Sequence, residues 1–265
     1  DEVFAGYNKH AAEWRMRNGN LANSFVLASS SLWALLPKSR NNKITNTIRQ
    51  LHRFAEGSKL SAAERYWKWA GFNDLEKTMK LFSDNVQRKI KPTVSTDIKS
   101  EFTKLIQNND LNEVLLSDMN LVLLSDMLVK VDLMSMANSL EIRSPFLDQD
   151  VVEFAFGLPS EYKIDSRMKK KIVQDAFRNY LPDELYNRPK KGFEIPLVNW
   201  FRNELWDTID KDLLNDKFIE EQGLFNVNTI KELKKQIRSS NPEDSHATIW
   251  ALIVFQHWWK LYSIS

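Results

Sequence analysis

Two short segments combine charged side chains with prolines, and they are the parts of this sequence best suited to chemistry. The first is residues 141–148 (EIRSPFLD) and the second is residues 187–196 (NRPKKGFEIP). Proline fixes the backbone angle φ, and rigidly held loops often present functional side chains. We therefore interpret both segments as rigid loops that hold charges in place.

The second segment carries a cluster of cations. Lys190 stands between Arg188 and Lys191. Pro189 stiffens the loop, and Gly192 lets its backbone approach a ligand closely. A fixed cation of this kind stabilises negative charge on reacting phosphates. The same residues are also typical of a solvated basic loop, and the residues alone do not separate the two interpretations.

A third group of charges consists of Asp126, Lys130 and Asp132, which would lie on neighbouring helical turns. An amino-acid substrate carries a carboxylate and an ammonium group, so its site needs one cation and one anion at a fixed distance. These side chains could supply both. Asp126 and Lys130 could equally form an ordinary i,i+4 surface pair.

The composition excludes several other classes of site. The absence of cysteine excludes disulfide scaffolds, thiolate metal sites and cysteine nucleophiles. The glycines are too widely spaced for a GxGxxG or GxxxxGK phosphate loop, and the histidines lack the spacing of metal ligands. A net charge of +2 is too near balance for a nucleic-acid-binding protein. The uncharged stretches are poorly suited to a membrane span, so we expect no membrane partner.

Helical periodicity dominates the chain, whereas strand alternation is lacking. Ile230, Leu233 and Ile237 recur at helical spacing between lysines. We predict a mainly α protein in which residues 1–265 form a single helical domain. The predicted helices cover residues 5–17, 21–36, 41–56, 61–70, 74–82, 96–108, 111–123, 125–139, 148–157, 166–180, 196–212, 227–239 and 244–261.

Some helix ends have a chemical signal. Ser61 followed by Glu64 is typical of a capping box, and Ser166 is a second predicted start. Asp148 is a candidate N-cap for the helix that follows it. Gly223 is a predicted stop.

Four segments resemble the synthetase domain of glutamine-dependent asparagine synthetases. The opening DEVFAGY is similar to the end of the family's S-G-E-G-x-D-E-x-F-x-G-Y segment. Residues 128–148 resemble the family's most recognisable block, and residues 181–196 match its basic loop. Residues 246–252 (HATIWAL) resemble the closing helix. The four blocks stand in the family's order from one end of the chain to the other.

The resemblance implies a defined reaction. Enzymes of this family use ATP and Mg²⁺ to convert the side-chain carboxylate of aspartate to β-aspartyl-AMP, with release of pyrophosphate. Ammonia, released from glutamine in an N-terminal glutaminase domain, then displaces AMP. We accordingly expect a cytoplasmic carbon–nitrogen ligase whose small-molecule partners are aspartate, ATP and glutamine-derived ammonia. A homodimer is a common assembly in the family.

The resemblance also implies that this chain is incomplete. Residues 1–265 correspond to the multi-helix C-terminal portion of an α/β synthetase domain of the PP-loop ATP pyrophosphatase type (adenine nucleotide α-hydrolase-like). The glutaminase domain, the pyrophosphate loop and the nucleotide-binding sheet would lie outside it. We expect the fragment alone to be inactive.

The resemblance assigns roles to the chemical residues. Lys190 matches the family's catalytic lysine, and Arg188 lies beside it as a second phosphate-binding cation. Asp1 matches an aspartate that helps to hold magnesium. Glu2 and Tyr7 match residues near the aspartate substrate, where a phenol beside a carboxylate suits positioning or proton relay.

Further residues have less direct roles. Asp126 and Lys130 are the candidates for substrate binding. Glu141, Arg143 and Asp148 are interpreted as architectural residues near the site. Lys170 also matches a family lysine, but it lies in a run of three lysines that is typical of a solvated helix surface.

Two other functions stay open from the sequence. β-Lactam synthetases and peptide cyclases resemble this domain and also adenylate a carboxylate, so the substrate could differ. A non-enzymatic helical interaction module is the other alternative. Its signature would be an exposed apolar face where the nucleotide-binding sheet of the family would pack.

Overall fold

Helices account for most of the backbone that the structure describes. The computed structural model describes residues 1–19, 21–36, 38, 43–71, 75–90, 93–188 and 195–263, and this part of the chain is mainly helical without a β-sheet. The prediction of a mainly α fold is confirmed for these residues. In chain order the helices are α1 (Asn8–Arg17), α2 (Leu21–Ala28), α3 (Ser30–Leu35), α4 (Lys43–Gly57), α5 (Ala62–Ala70), α6 (Leu75–Leu81), α7 (Asp84–Lys89), α8 (Thr93–Thr103), α9 (Leu111–Asp118), α10 (Leu128–Met136), α11 (Gln149–Gly157), α12 (Lys171–Ala176), α13 (Leu197–Arg202), α14 (Asp216–Gln222), α15 (Val227–Arg238) and α16 (Ser245–Tyr262).

The chain divides into two compact units. Unit 1 contains Asp1–Ser29, Phe54–Ala70 and Ile98–Lys190, and unit 2 contains Ser30–Arg53, Gly71–Asp97 and Lys191–Ser265. The assignment of residues 1–265 to a single domain stays a prediction. No helix in the described part of the chain is both long enough and apolar enough to cross a membrane.

Most predicted helices agree with the structure within a few residues, and the predicted ends at Ser61 and Gly223 are confirmed. The Ser61 hydroxyl accepts a hydrogen bond from the Glu64 backbone N–H, and Ser61 in turn donates to the Glu64 carboxylate. Gly223 follows α14 in the left-handed conformation with φ of 67°. That conformation favours glycine because it has no Cβ.

The predicted break between helices 111–123 and 125–139 is wrong. A π-helical segment, Met119–Met127, joins α9 to α10, so that the helical backbone runs without interruption from Leu111 to Met136. No proline or glycine stands in this stretch to stop it. A π-helical segment widens each turn, and such segments are frequent at functional sites.

The predicted helix 166–180 starts too early and ends too late. The Asp165 carboxylate accepts the backbone N–H groups of Arg167 and Met168, which turns the chain. Lys170 then adopts a left-handed conformation, and α12 begins only at Lys171. A local side-chain bond to the backbone therefore outweighs helical propensity here.

Other differences are smaller. The predicted helix 21–36 is two helices, α2 and α3, and the predicted helix 196–212 is α13 followed by the π-helical segment Thr208–Leu213. Helices α7 and α14 were not predicted. Both have N-caps that the sequence could have signalled, Ser83 and Asn215 respectively, but each helix is too short to show an apolar period.

The core of unit 1 surrounds the start of the chain. Ala5 is buried with Tyr66 of α5 and with apolar residues of α9, including Leu111 and Leu115. Val3 and Phe4 pack with Ala155 of α11. Burial of the first residues against two helices fixes the turn that leads into α1.

Unit 2 has its own core. Phe201 of α13, Ile230 and Ile237 of α15, and Ile249 of α16 are among its fully buried residues. The apolar period that predicted α15 is therefore its buried face.

Candidate active site

Glu2 and Tyr7 form a hydrogen-bonded pair at the start of unit 1. The Tyr7 hydroxyl donates to Glu2 Oε1 at 2.7 Å, and Glu2 is buried. Burial raises the pKa of Tyr7, and the hydrogen bond and charge of Glu2 raise it further, as do the charges of Asp118 and Asp126. The phenol therefore keeps its proton and presents it to the carboxylate.

A tight turn brings the two side chains together. The Gly6 N–H donates to the Asp1 carbonyl at 2.8 Å, and Ala5 is fully buried with φ of 55°. Tyr7 follows as the N-cap residue of α1. A left-handed alanine is strained, and such strain persists only where the surrounding packing holds it.

Asp1 and Lys170 form an ion pair next to this turn. Lys170 Nζ lies 2.6 Å from Asp1 Oδ1, and both contact the space where a Cβ on Gly6 would stand. Burial lowers the pKa of Lys170, and the charge of Glu2 opposes this shift. The adjacent Lys169 donates to Asn8 Oδ1 at 2.7 Å. Lys170 therefore contacts a candidate site residue and Lys169 contacts the first turn of α1, although a run of three lysines is typical of a solvated surface.

A buried polar cluster underlies Tyr7, and sequence reasoning missed it. The Asp118 carboxylate is fully buried at the end of α9 and is contacted by Lys9, by His10 at 2.9 Å and by Tyr66 at 3.2 Å. Burial alone would raise the pKa of Asp118, but the hydrogen bonds and charges of His10 and Lys9 lower it. The carboxylate is therefore ionised.

Asp126 and Lys130 are both exposed on the helical run that ends in α10. The charge of Asp126 reaches Tyr7 strongly enough to raise the pKa of its phenol. Lys130 Nζ lies 3.5 Å from Met127 Sδ, and no ion pair joins it to Asp126, both being within the described residues. Both charges are therefore available for a ligand, and the i,i+4 surface pair considered from the sequence is not formed.

The residues interpreted as architectural lie at the surface. Arg143 Nε donates to Glu141 Oε1 at 2.6 Å, and the side chains are 89% and 67% exposed, so this contact stabilises the loop little. Asp148 caps α11 by accepting the Asp150 N–H at 3.0 Å.

The basic loop is only partly described. Arg188 is exposed, and Lys190 lies outside the described residues. The N–H of Asn187, next to Arg188, donates to Gln174 Oε1 at 2.5 Å. Gln174 Nε2 donates to the Lys169 carbonyl at 2.6 Å. One side chain of α12 thus joins the entry of the basic loop to the lysine run.

Within the described residues, no group of three or more acidic or histidine side chains is arranged to hold a metal ion. Asp1 is a single carboxylate, and Lys170 already pairs with it. Magnesium in nucleotide sites often takes one or two carboxylates and fills its other positions with phosphate oxygens and water. Asp1 could serve as one such ligand to magnesium. The described side chains do not form a complete metal site by themselves.

Helix α10 and the loop that follows it expose several apolar side chains in unit 1. Val129, Leu133 and Met136 of α10 each expose about half of the side chain, and the following loop exposes Leu140 and Ile142 to a similar degree. Where exposed apolar side chains form a large patch on a soluble protein, the patch often marks a binding surface.

The family model for asparagine synthase matches residues 1–260. Glutamine-hydrolyzing asparagine synthetase 1 of Bacillus subtilis is 28% identical over 188 residues, which are 68% of this chain and 29% of that protein. A probable asparagine synthetase of Acanthamoeba polyphaga mimivirus is 33% identical over 111 residues, covering 39% of this chain and 20% of that protein.

A relative with a different name is the amidase chyE of Penicillium rubens, which is 30% identical over 125 residues, 44% of this chain and 18% of that protein. The chain spans less than a third of the length of these relatives. No solved structure matches.

Proposed function

Because the chain belongs to the asparagine synthase family, we propose that the protein containing it synthesises asparagine from aspartate, ATP and ammonia derived from glutamine. The observation that carries the proposal is the Tyr7–Glu2 hydrogen bond beside the Asp1–Lys170 ion pair. Asp1, Glu2 and Tyr7 belong to the opening segment that resembles the family's S-G-E-G-x-D-E-x-F-x-G-Y segment, whereas Lys170 comes from a distant part of the sequence.

The reaction has two steps. In the first, an oxygen of the aspartate side-chain carboxylate attacks the α-phosphorus of ATP, and the bond to pyrophosphate breaks. In the second, ammonia attacks the activated carbonyl carbon, the bond to AMP breaks, and the nitrogen gives up one proton. Charge develops on the phosphates in the first step and on the nitrogen in the second, so the site needs cations and a proton acceptor.

We assign the role of proton acceptor in the second step to Glu2. Its carboxylate accepts from the Tyr7 hydroxyl through Oε1. The other oxygen, Oε2, lies 3.4 Å from the Asp1 nitrogen and would take the proton lost by the attacking nitrogen, while the phenol fixes the carboxylate in place. Tyr7 is suited to this role because its raised pKa keeps it a hydrogen-bond donor.

We assign the stabilisation of the negative charge on the phosphates to Lys190 and Arg188, with Lys170 as a third cation. Lys170 is held 2.6 Å from Asp1 and reaches the turn that carries Glu2. Magnesium, when bound with ATP, would supply further charge neutralisation, and Asp1 would be its protein ligand. For the amino acid, Lys130 would bind the α-carboxylate and Asp126 the ammonium group.

The exposed apolar surface of α10 and the following loop supports a further part of the proposal. A nucleotide-binding sheet of the PP-loop type would cover it in the complete protein and carry ATP toward Glu2. The glutaminase domain would be a separate part of the same protein.

A second candidate is an enzyme that adenylates a different carboxylate, and the similarity to the Penicillium rubens amidase favours it. The exposed surface of α10 also suits a non-enzymatic interaction module. Activity on aspartate would separate the first proposal from both.

The test is pyrophosphate release by the full-length protein with ATP, Mg²⁺ and each of several carboxylates. We expect release that depends on aspartate and falls by roughly a hundredfold in Tyr7→Phe or Lys190→Ala. Lys211→Ala is the matched control, because Lys211 belongs to unit 2 and pairs with Asp207 at its exposed surface. Pyrophosphate release that does not depend on aspartate would refute the assignment of the substrate. Equal rates of release in the wild type and all variants would refute the assignment of the residues.

A further inference from the structure

His10 is a fully buried histidine whose two ring nitrogens have different partners. Nδ1 lies 3.4 Å from the backbone nitrogen of Tyr7, which can only donate. Nε2 lies 2.9 Å from Oδ2 of Asp118, which can only accept when ionised. Nδ1 is therefore the acceptor and Nε2 carries the proton, so the two contacts define one neutral tautomer.

The partner of Nε2, Asp118, is held in place by side chains from two helices. Asp118 Oδ1 is contacted by Lys9 of α1 and by the Tyr66 hydroxyl of α5, while Oδ2 is left to His10. A fully buried carboxylate is stable only when such donors satisfy it. The imidazole is thus held against a group that cannot move without losing its other partners.

The partner of Nδ1 is the residue that presents the phenol. Tyr7 is the N-cap residue of α1, and its N–H donates to His10 Nδ1 because no carbonyl of the helix itself can accept it. The two rings also pack edge to face, with centroids 5.4 Å apart. His10 therefore contacts Tyr7 at the backbone and at the ring, and the phenol then reaches Glu2.

We infer that His10 is a positioning residue. Through its hydrogen bonds to Asp118 and to the Tyr7 N–H, it holds Tyr7 in place relative to the buried Asp118, so that the phenol stays hydrogen-bonded to the Glu2 carboxylate. The effect on catalysis rests on the proposed function, whereas the tautomer and the hydrogen bonds do not. His10 does not reach the reacting atoms itself, because Tyr7 lies between it and Glu2.

Two conservative variants separate the contacts of His10. In His10→Asn, the amide oxygen stands near the position of Nδ1, so the acceptor for the Tyr7 N–H is kept and the contact with Asp118 is lost. In His10→Gln, the amide nitrogen stands near the position of Nε2, so the contact with Asp118 is kept and the acceptor is lost. Ile237→Val is a matched control that removes one buried methylene from the core of unit 2.

Activity of the full-length protein gives the first readout. We expect kcat for aspartate-dependent pyrophosphate release to fall roughly tenfold in His10→Gln and less in His10→Asn, with little change in KM for ATP. Ile237→Val should lower Tm and leave kcat unchanged. Wild-type kcat in His10→Gln would overturn the inference, as would a loss of kcat in both variants that only follows Tm.

The second readout needs no activity. Nitrogen-15 NMR of the full-length protein should show His10 with the proton on Nε2 and an unprotonated Nδ1. A proton on Nδ1 would overturn the inference even if the enzyme adenylates aspartate. The predicted tautomer in a protein that releases no pyrophosphate would instead refute the proposed function and leave the Tyr7–His10–Asp118 geometry in place.

Discussion

Gly6→Ala should damage the site far more than the fold. A Cβ on Gly6 would overlap Asp1 Oδ1 and Lys170 Cε, and it would lie 2.8 Å from Asp1 Cγ. These atoms belong to the ends of side chains that can swing aside, whereas no backbone atom is among the nearest neighbours. The substitution is therefore expected to separate Asp1 from Lys170 without unfolding unit 1.

The expected loss of stability is small because the ion pair is partly solvated. The Lys170 side chain is 42% exposed and that of Asp1 is 20% exposed. Such pairs contribute about 1 kcal/mol or less, so the free energy of unfolding should fall by no more than that amount. The rate of aspartate-dependent pyrophosphate release should fall by at least about tenfold, since two charges next to Glu2 would be displaced.

The assay combines urea unfolding with the rate of pyrophosphate release in the full-length protein. Gly157→Ala is the matched control, because nothing lies within 4 Å of a Cβ at that position, the last residue of α11. It should be neutral or stabilise by about 0.5 kcal/mol and leave the rate unchanged. A large loss of stability in Gly6→Ala, or an unchanged rate, would refute the reasoning about this turn.

Three further predictions concern stability. Gly223→Ala should lower the free energy of unfolding by about 1 kcal/mol, because alanine is strained at φ of 67°; equal denaturation midpoints for variant and wild type would contradict this. Asp118→Ala should lower the free energy of unfolding by about 3–5 kcal/mol, since it leaves the buried His10 and Tyr66 without a hydrogen-bond acceptor. A loss below about 1 kcal/mol in chemical denaturation would show that these hydrogen bonds do not stabilise the fold. Burial lowers the pKa of Lys163 to about 8, so unfolding takes up a proton between that value and the ordinary lysine pKa, and stability should rise with pH above about 8. Lys163→Met should lose this rise in unfolding curves recorded from pH 7 to pH 10, and an identical slope in both proteins would disprove the assignment.

The sequence predicted best what depends on local chemistry. The capping box at Ser61, the cap at Asp148 and the stop at Gly223 are each decided by a side chain and its own neighbours. The apolar period of α15 marked its buried face for the same reason. These features need only residues within one or two turns of each other.

Residues of the candidate site were predictable only where they belong to a segment that resembles the family. Tyr7 and Glu2 stand five residues apart in a segment with a family resemblance, and the structure brings them together. His10 and Asp118 are separated by 108 positions, and no local pattern links them. Lys170 was obscured because a run of lysines favours a solvated helix, whereas the Asp165 turn places it outside the helix.

The proposed activation of the aspartate side chain by adenylation is tested most directly with isotopes. The full-length protein would be supplied with ATP, Mg²⁺, glutamine and aspartate labelled with oxygen-18 in its side-chain carboxylate. Because a carboxylate oxygen attacks the α-phosphorus and leaves with it, one labelled oxygen should appear in AMP for each asparagine formed. Label in inorganic phosphate, or asparagine formed with unlabelled AMP, would contradict the account.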